Sequence, residues 1–255
     1  MEHTKKNILF SVIMPAYQCE RWIQEAISSV QQQTEQAWEL IIIEDCSTDH
    51  TWDIVQQAAA EDKRIRIYRN SQNQGVAKSR NRGMRLASGK YIAFLDGDDR
   101  WLPNKLAAQY RLLSEEKCEI CYTSYEYIDE NGNRIGKRYC VPQQFSKEEF
   151  LKENFIGCST AAFSKEFAVA IFLREEYQHE DYVFWLELME KGALFCGITD
   201  VLAEYRILSS SRSANKSKAA LGRWRIYRDF MHFGIYQSFC YEIQYIVKGL
   251  KKHVF

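Results

Sequence analysis

Long apolar runs are missing from this chain: nothing in its 255 residues approaches the ~20 consecutive apolar residues that cross a bilayer. A net charge is missing too. Lys and Arg number 34, and so do Asp and Glu, so no global field draws the chain to nucleic acid and any basic partner surface must be local. Of eight cysteines only Cys118 and Cys121 stand close together, without the second pair or the histidines of a structural zinc site. They fall on an expected strand, where residues three apart face opposite sides. The cysteines read as mostly reduced core residues, which fits the cytosol. Lys5 and Lys6 before an apolar stretch imitate a leader, but Pro15 ends the stretch early and a first strand accounts for it. Repeats and low-complexity tracts are also absent. The expectation is a soluble or peripheral cytoplasmic protein with one sizeable core, or a domain with an appendage.

What is present is alternation. Ile8 to Met14 reads as a buried strand, with Pro15, Ala16, Tyr17 and Gln18 as the loop that leaves it. Trp22, Ile23, Ala26, Ile27 and Val30 then fall on one helical stripe. Trp38 to Ile43 is a second strand, ending in Glu44, Asp45, Cys46, Ser47, Thr48 and Asp49; Ser47 or Asp49 is placed to cap the helix carrying Trp52, Ile54 and Val55. Ile65 and Ile67 mark a third strand, and Asn73, Gln74 and Gly75 turn into a helix bearing Val76, Ala77, Arg80, Met84 and Ala87. Such alternation predicts a parallel sheet with binding loops at the carboxyl ends of its strands.

The most informative stretch follows. Tyr91 to Leu95 is an apolar run broken by Asp96, Gly97, Asp98 and Asp99, which reads as a strand delivering carboxylates into a loop. Mg²⁺ and Mn²⁺ take only one or two protein carboxylates and fill their shell with water and phosphate oxygens, so the loop suits a metal that carries a diphosphate. The same acids equally suit the cap of a helix starting near Pro103.

Further on, Ile120 to Ile128 is a strand entering a hairpin at Asn131 and Gly132. Ser146 with Glu149 forms a capping box for a helix through Asn154, and Ser164 is placed to cap another short helix. Tyr182, Trp185, Leu186 and Met189 make a helical stripe that Gly192 ends. Glu180 and Asp181 sit at its amino end, where acids also simply favour the helix dipole. After a strand from Ala193 to Ile198, Tyr205 and Arg206 lead into Ser209, Ser210, Ser211, Arg212 and Ser213, a loop able to close over an anion. Residues 222–255, with Trp224, Tyr227, Phe230 and Phe233 among Arg223, Arg225, Arg228, Lys248, Lys251 and Lys252, form either an amphipathic element at a membrane surface or a helix closing the core.

In order, Val12 to Tyr17, Ile43 to Asp49, Asn73, Gly75, Ala77, Arg80, Asn81 and Gly83, and then Asp96 to Asp99 make a combination. On these motifs the chain resembles the family 2 glycosyltransferases of bacterial surface polysaccharide synthesis, from about Ser11 to Ser213. The resemblance implies an α/β nucleotide-diphospho-sugar transferase (GT-A) fold over 1–215, with a mostly parallel central sheet flanked by helices, and a helical extension over 216–255. It assigns Pro15, Tyr17 and Asp45 to the nucleotide pocket, where Tyr17 stacks on a uracil ring and Asp45 accepts from its N3–H. The family usually has Asp where Glu44 stands. Arg80 is implied near the nucleotide and diphosphate, Asp96 at the ribose, Asp98 on Mn²⁺ or Mg²⁺, and Asp99 and Glu180 as support for the donor sugar or the loop. Asp181 is implied as the general base of an inverting transfer, and Arg206 as part of the loop over the diphosphate.

The implied partners are a nucleotide sugar, uridine-linked by expectation, and a saccharide or lipid-linked saccharide acceptor; if the acceptor is lipid-linked, the basic and aromatic composition of 222–255 suits contact with the inner face of the cell membrane. Two other readings compete. A nucleotidyltransferase wants a Gly-rich basic loop after the first strand, which is not there. A non-catalytic sugar-nucleotide-binding scaffold has no need of both the acidic loop and Asp181.

Overall fold

The computed structural model describes residues 8–115, 117–208 and 216–254. In chain order its elements are β1 (Phe10–Ala16), α1 (Ile23–Gln31), β2 (Trp38–Glu44), α2 (Thr51–Glu61), β3 (Ile65–Arg69), α3 (Val76–Leu86), β4 (Tyr91–Phe94), β5 (Arg100–Trp101) and α4 (Lys105–Ser114). Then come β6 (Ile120–Ile128), β7 (Arg134–Tyr139), α5 (Lys147–Lys152), β8 (Ala162–Ser164), α6 (Glu180–Glu190), β9 (Phe195–Arg206), α7 (Lys216–Arg225) and α8 (Ile235–Val254).

One sheet in the order β3-β2-β1-β4-β8-β6-β9-β5 carries the fold, with β7 pairing off β6. Its β3-β2-β1-β4 half is wholly parallel, with Phe10 opposite both Trp38 and Tyr91. Beyond β4 the sheet is mixed, because β8 runs antiparallel to β4 and β6, and β9 lies parallel to β6 but antiparallel to β5. The parallel half therefore matches the sequence expectation, and the remainder departs from it.

Alternation along the strands sorts the core into two layers. Ile13, Ile41 and Ile43 point to the side of Met84, Phe94 and the α6 residues Phe184 and Trp185. Val12, Met14, Leu40 and Ile42 point the other way, to Ile23, Ile27 and Val55. Apolar residues at both parities are what a strand covered on both faces requires. Gly83 lets α3 lie flat on β1, since a Cβ there would come within 2.4 Å of the Ile13 side chain.

Several local expectations are corrected. Strand β1 continues through Pro15 and Ala16; its ladder to β4 stops at Ile13, so the N–H that proline lacks is not needed on that side. Asp49, not Ser47, braces the start of α2, accepting from the Thr51 N–H at 3.1 Å. Ser164 ends β8 and opens a turn, with no helix after it. Cys118 lies ahead of β6, outside the pleat, and its thiol interacts with both Cys121 and Cys196; all eight cysteines are free. The capping box at Ser146 and Glu149 forms as expected. Strand β9 runs twelve residues, carried past exposed Thr199 and Asp200 by register shifts against β6, and so takes Arg206 into the sheet. Ser209 to Ser213 lie outside the described residues. At the other end, Ile226 and Tyr227 are fully buried in the α6-side core, and the Tyr227 hydroxyl donates to the Leu151 carbonyl at 2.6 Å.

Candidate active site

The carboxyl ends of β1, β2 and β4 lie side by side and bring three loops together: Tyr17–Cys19, Asp45–Asp49 and Asp96–Asp99. Gln18 (φ 49°) and Cys46 (φ 64°) hold left-handed backbone in the first two, a strained conformation that clusters at functional sites. Gly97 lets the acidic loop close on the first: a Cβ there would stand 3.0 Å from Cys19 Sγ and 3.5 Å from the Pro15 carbonyl.

Within the acidic loop the three carboxylates have different surroundings. Asp99 is buried, and its Oδ1 accepts from the Arg206 N–H at 2.9 Å while its Oδ2 accepts from Ser159 Oγ at 2.5 Å. Ser159 Oγ in turn accepts from the Asp96 N–H at 3.1 Å. Burial and then the charges of Asp98 and Asp96 push the Asp99 carboxyl well above its ordinary value. Burial and then Asp96 push Asp98 up to about 6, with Arg206 and Arg80 opposing. Asp99 is thus a clamp for the loop, whereas Asp96 and Asp98 are both partly exposed. Among the described residues no three or more His, Cys, Asp or Glu side chains converge as a metal cage. Two neighbouring, partly exposed carboxylates in a loop at the end of a strand fit Mn²⁺ or Mg²⁺, whose remaining ligands come from water and phosphate.

Arg206 lies underneath this loop, not over it. Its Nε donates to the Asp98 carbonyl at 2.7 Å, Nη1 to the carbonyls of Asp129 (3.2 Å) and Glu130 (3.1 Å), and Nη2 to Glu25 Oε2 at 2.8 Å. Every guanidinium nitrogen is engaged by protein, which corrects the expectation that this residue reaches a diphosphate. Glu25, Arg100 and Glu204 complete the underlay through ion pairs at 3.0 and 2.7 Å.

Arg80 projects from α3 into the space between the acidic loop and α6. Only 3% exposed, it places Nη2 2.5 Å from Asp96 Oδ1 and Nη1 3.0 Å from Glu180 Oε1. The guanidinium stands behind Asp96 and pins the amino end of α6 to the acidic loop. Asp181 follows at that end, partly exposed, and its charge acts on Arg80 and Arg223. His179 is drawn away from the cleft, its Nε2 lying 3.0 Å from the Ala219 carbonyl of α7.

On the β2 side, Asp45 is buried and already used: Asn70 Nδ2 (2.7 Å) and the Gln74 N–H (2.9 Å) donate to Oδ1, and the Gly75 N–H (2.8 Å) to Oδ2. A carboxylate offers about four acceptor sites, so one on Oδ2 is left. Glu44 accepts from the Ser47 N–H and pairs with Arg69 Nε at 2.8 Å, bracing the loop. Tyr17, 50% exposed, stands at the mouth of the cleft. A cavity of about 590 Å³ lined by Lys78, Arg174, Glu175, Glu187, Lys191 and Phe230 contains none of these groups.

Residues 11–173 match the family model described as glycosyl transferase family 2. The chain belongs to that family. Among its relatives this glycosyltransferase is 36% identical over 248 residues to TuaG of Bacillus subtilis, named as a glycosyltransferase assigned to teichuronic acid biosynthesis, covering 96% of this chain and 98% of TuaG. It is 36% identical over 252 residues to WfgD of Escherichia coli, a UDP-Glc:alpha-D-GlcNAc-diphosphoundecaprenol beta-1,3-glucosyltransferase, covering 98% and 96%. The fold superposes on the mannosyltransferase PcManGT of Pyrobaculum calidifontis, solved with GDP-Man and Mn²⁺, with a TM-score of 0.69 at 17% identity, over 88% of this chain and 64% of that one. The arrangement is the GT-A fold expected from the motifs.

Sequence reasoning missed the residues that hold the family 2 site from behind. Ser159 sits in a short 3-10 turn, Cys158–Thr160, within a stretch of mixed polarity, and Glu25 is one acid among many on an amphipathic helix. Neither carries a local signal.

Proposed function

We propose that this glycosyltransferase moves a sugar from a UDP-linked donor to a hydroxyl of a lipid-linked saccharide, with inversion and with a divalent metal, in the synthesis of a surface polysaccharide. The observation that carries the reading is the Arg80 bridge, which holds the acidic loop and the amino end of α6 together, so that a leaving-group site and a base share one cleft. The names of WfgD and TuaG support the donor, the acceptor class and the pathway type.

In this reading Tyr17 stacks on the uracil, and Asp45 uses its remaining Oδ2 site for the N3–H; Pro15 shapes the floor between them. Asp96 faces the ribose. Asp98 would hold Mn²⁺ or Mg²⁺, which supplies positive charge to the diphosphate as it departs. Charges about 4 Å apart interact by roughly 4 kcal/mol at an effective dielectric of 20, and each ~1.4 kcal/mol gained only in the transition state is tenfold in rate. Asp99 and Glu180 keep their neighbours in place. Asp181 takes the proton from the acceptor hydroxyl as that oxygen attacks the anomeric carbon opposite the diphosphate, so no enzyme nucleophile is needed. Among the described residues no helix is long and apolar enough to cross a membrane.

The test is a donor screen with purified protein and a diphospholipid-linked saccharide, with and without Mn²⁺, scoring release of nucleoside diphosphate and the anomeric configuration of the product. Mn²⁺-dependent release of UDP with inversion is expected. Release of pyrophosphate, or no turnover of any nucleotide sugar, overturns the reading.

A further inference from the structure

Helix α8 is reversed for a helix on the surface of a protein in water. Its inward side carries Ser238, Tyr241, Glu242 and Tyr245, with Ser238 and Glu242 buried. Its outward side carries Ile235, Tyr236, Phe239, Ile243, Ile246 and Val247, each between 43% and 81% exposed. At about 100° per residue these six fall within an arc of about 120°, and no charged side chain of 235–248 enters it. A contiguous apolar stripe of this kind marks an interaction surface.

The inward side is committed. The Arg223 guanidinium lies 4.4 Å from the Tyr245 ring and 3.4 Å from that of Tyr182, Tyr241 stacks on Phe233 with centroids 5.4 Å apart, and Lys248 pairs with Glu153 at 3.2 Å. The helix is therefore anchored with its apolar face outward. Charge distribution points to what covers that face. Residues 216–255 hold eight Lys or Arg against two acids, a net +6, while residues 1–215 hold 26 against 32, a net −6. The neutral whole conceals a cationic end.

We propose that the outer face of α8 docks on an anionic lipid bilayer, with Phe239, Ile243 and Ile246 entering the headgroup–acyl boundary and the basic residues of 216–255 other than Arg223 and Lys248, which the inward contacts hold, meeting the headgroups. A second copy of the chain fits less well, because it would bring two +6 segments against each other. Docking also has a place in the transfer, a consequence that rests on the function proposed above. Helix α7, on which α8 packs, is fastened to the amino end of α6 by the His179–Ala219 contact and by Gly222, where a Cβ would stand 3.2 Å from Gln178. An acceptor leaving the bilayer is thereby delivered to the Asp181 end of the cleft.

The test is co-sedimentation of the full chain with vesicles of phosphatidylglycerol and phosphatidylethanolamine, and with vesicles of phosphatidylcholine alone, together with analytical ultracentrifugation without lipid. Binding is expected to the anionic vesicles, weaker at high salt, and about tenfold or more weaker for the Phe239→Asp/Ile243→Asp variant, whose circular dichroism and melting temperature match the wild type. Equal binding of variant and wild type, or no preference for anionic vesicles, overturns the proposal. A dimer that the same variant dissociates assigns the face to a second copy and overturns it too. Because the readout needs no turnover, failure of the transferase assay leaves it intact.

Discussion

Arg80 and Glu180 form a buried ion pair at 3.0 Å, with side chains 3% and 2% exposed, across a hundred residues of sequence. Since the same guanidinium also holds Asp96, one side chain sets the distance between the two acidic regions of the cleft.

Arg80→Met should be costly. Breaking a buried ion pair by removing one partner costs about 3–5 kcal/mol. Urea denaturation should show that loss, and Arg80→Met/Glu180→Gln should recover part of it. A single variant as stable as the wild type would mean the pair does not order the cleft.

Asp181→Asn should lower kcat by about 10²–10⁴ with donor affinity unchanged, because an amide cannot take the acceptor proton. Single-turnover kinetics beside calorimetric titration of the donor separates these effects. Loss of donor binding instead would move Asp181 to the nucleotide side.

Asp98→Asn should behave in the opposite way. Loss of a direct ligand should weaken Mn²⁺-dependent donor binding by more than the ~10–100-fold that loss of an outer-shell partner costs. Chelation of wild-type protein should reproduce the effect, whereas metal-free binding of the donor should be alike in both proteins.

Lys105 provides a pH dependence away from the site. Its ammonium is fully buried against the Trp101 ring, donates to Gln109 Oε1 at 2.7 Å, and is pushed down to about 7 by burial. An unfolded lysine titrates near ~10.4, so between about 7 and 10.4 the unfolded chain binds the extra proton and stability rises with pH; below that window the cost is fully present. Lys105→Met should therefore be more stable than wild type at pH 6, on the order of 3 kcal/mol after the lost hydrogen bond. That advantage should shrink toward pH 10, as read by denaturation at each pH.

The half of the fold formed by β3, β2, β1 and β4 was legible because its signals are local. Ile41 and Ile42 sit in a run that only a doubly covered strand tolerates, and Asp96 to Asp99 break an apolar run where a parallel strand must end. The mixed half was not legible, since pairing of β8 with β4 depends on partners about seventy residues away. The same division runs through the site. Asp98 stands out beside Gly97, but nothing near Ser159 or Glu25 signals that they brace the acidic loop. Arg206 read as part of a loop because register shifts that extend β9 are set by β6.

By itself the sequence determined the alternation of elements and the positions of the acids at strand and helix ends, because each depends on residues within a turn or a strand of one another. Only the tertiary structure decided that Arg80 joins Asp96 to Glu180, that Arg206 lies beneath the loop, and that α8 turns its apolar face outward. Those outcomes follow from which surfaces were already occupied when distant elements packed, and burial of a charge or a face is a property of the neighbours that surround it.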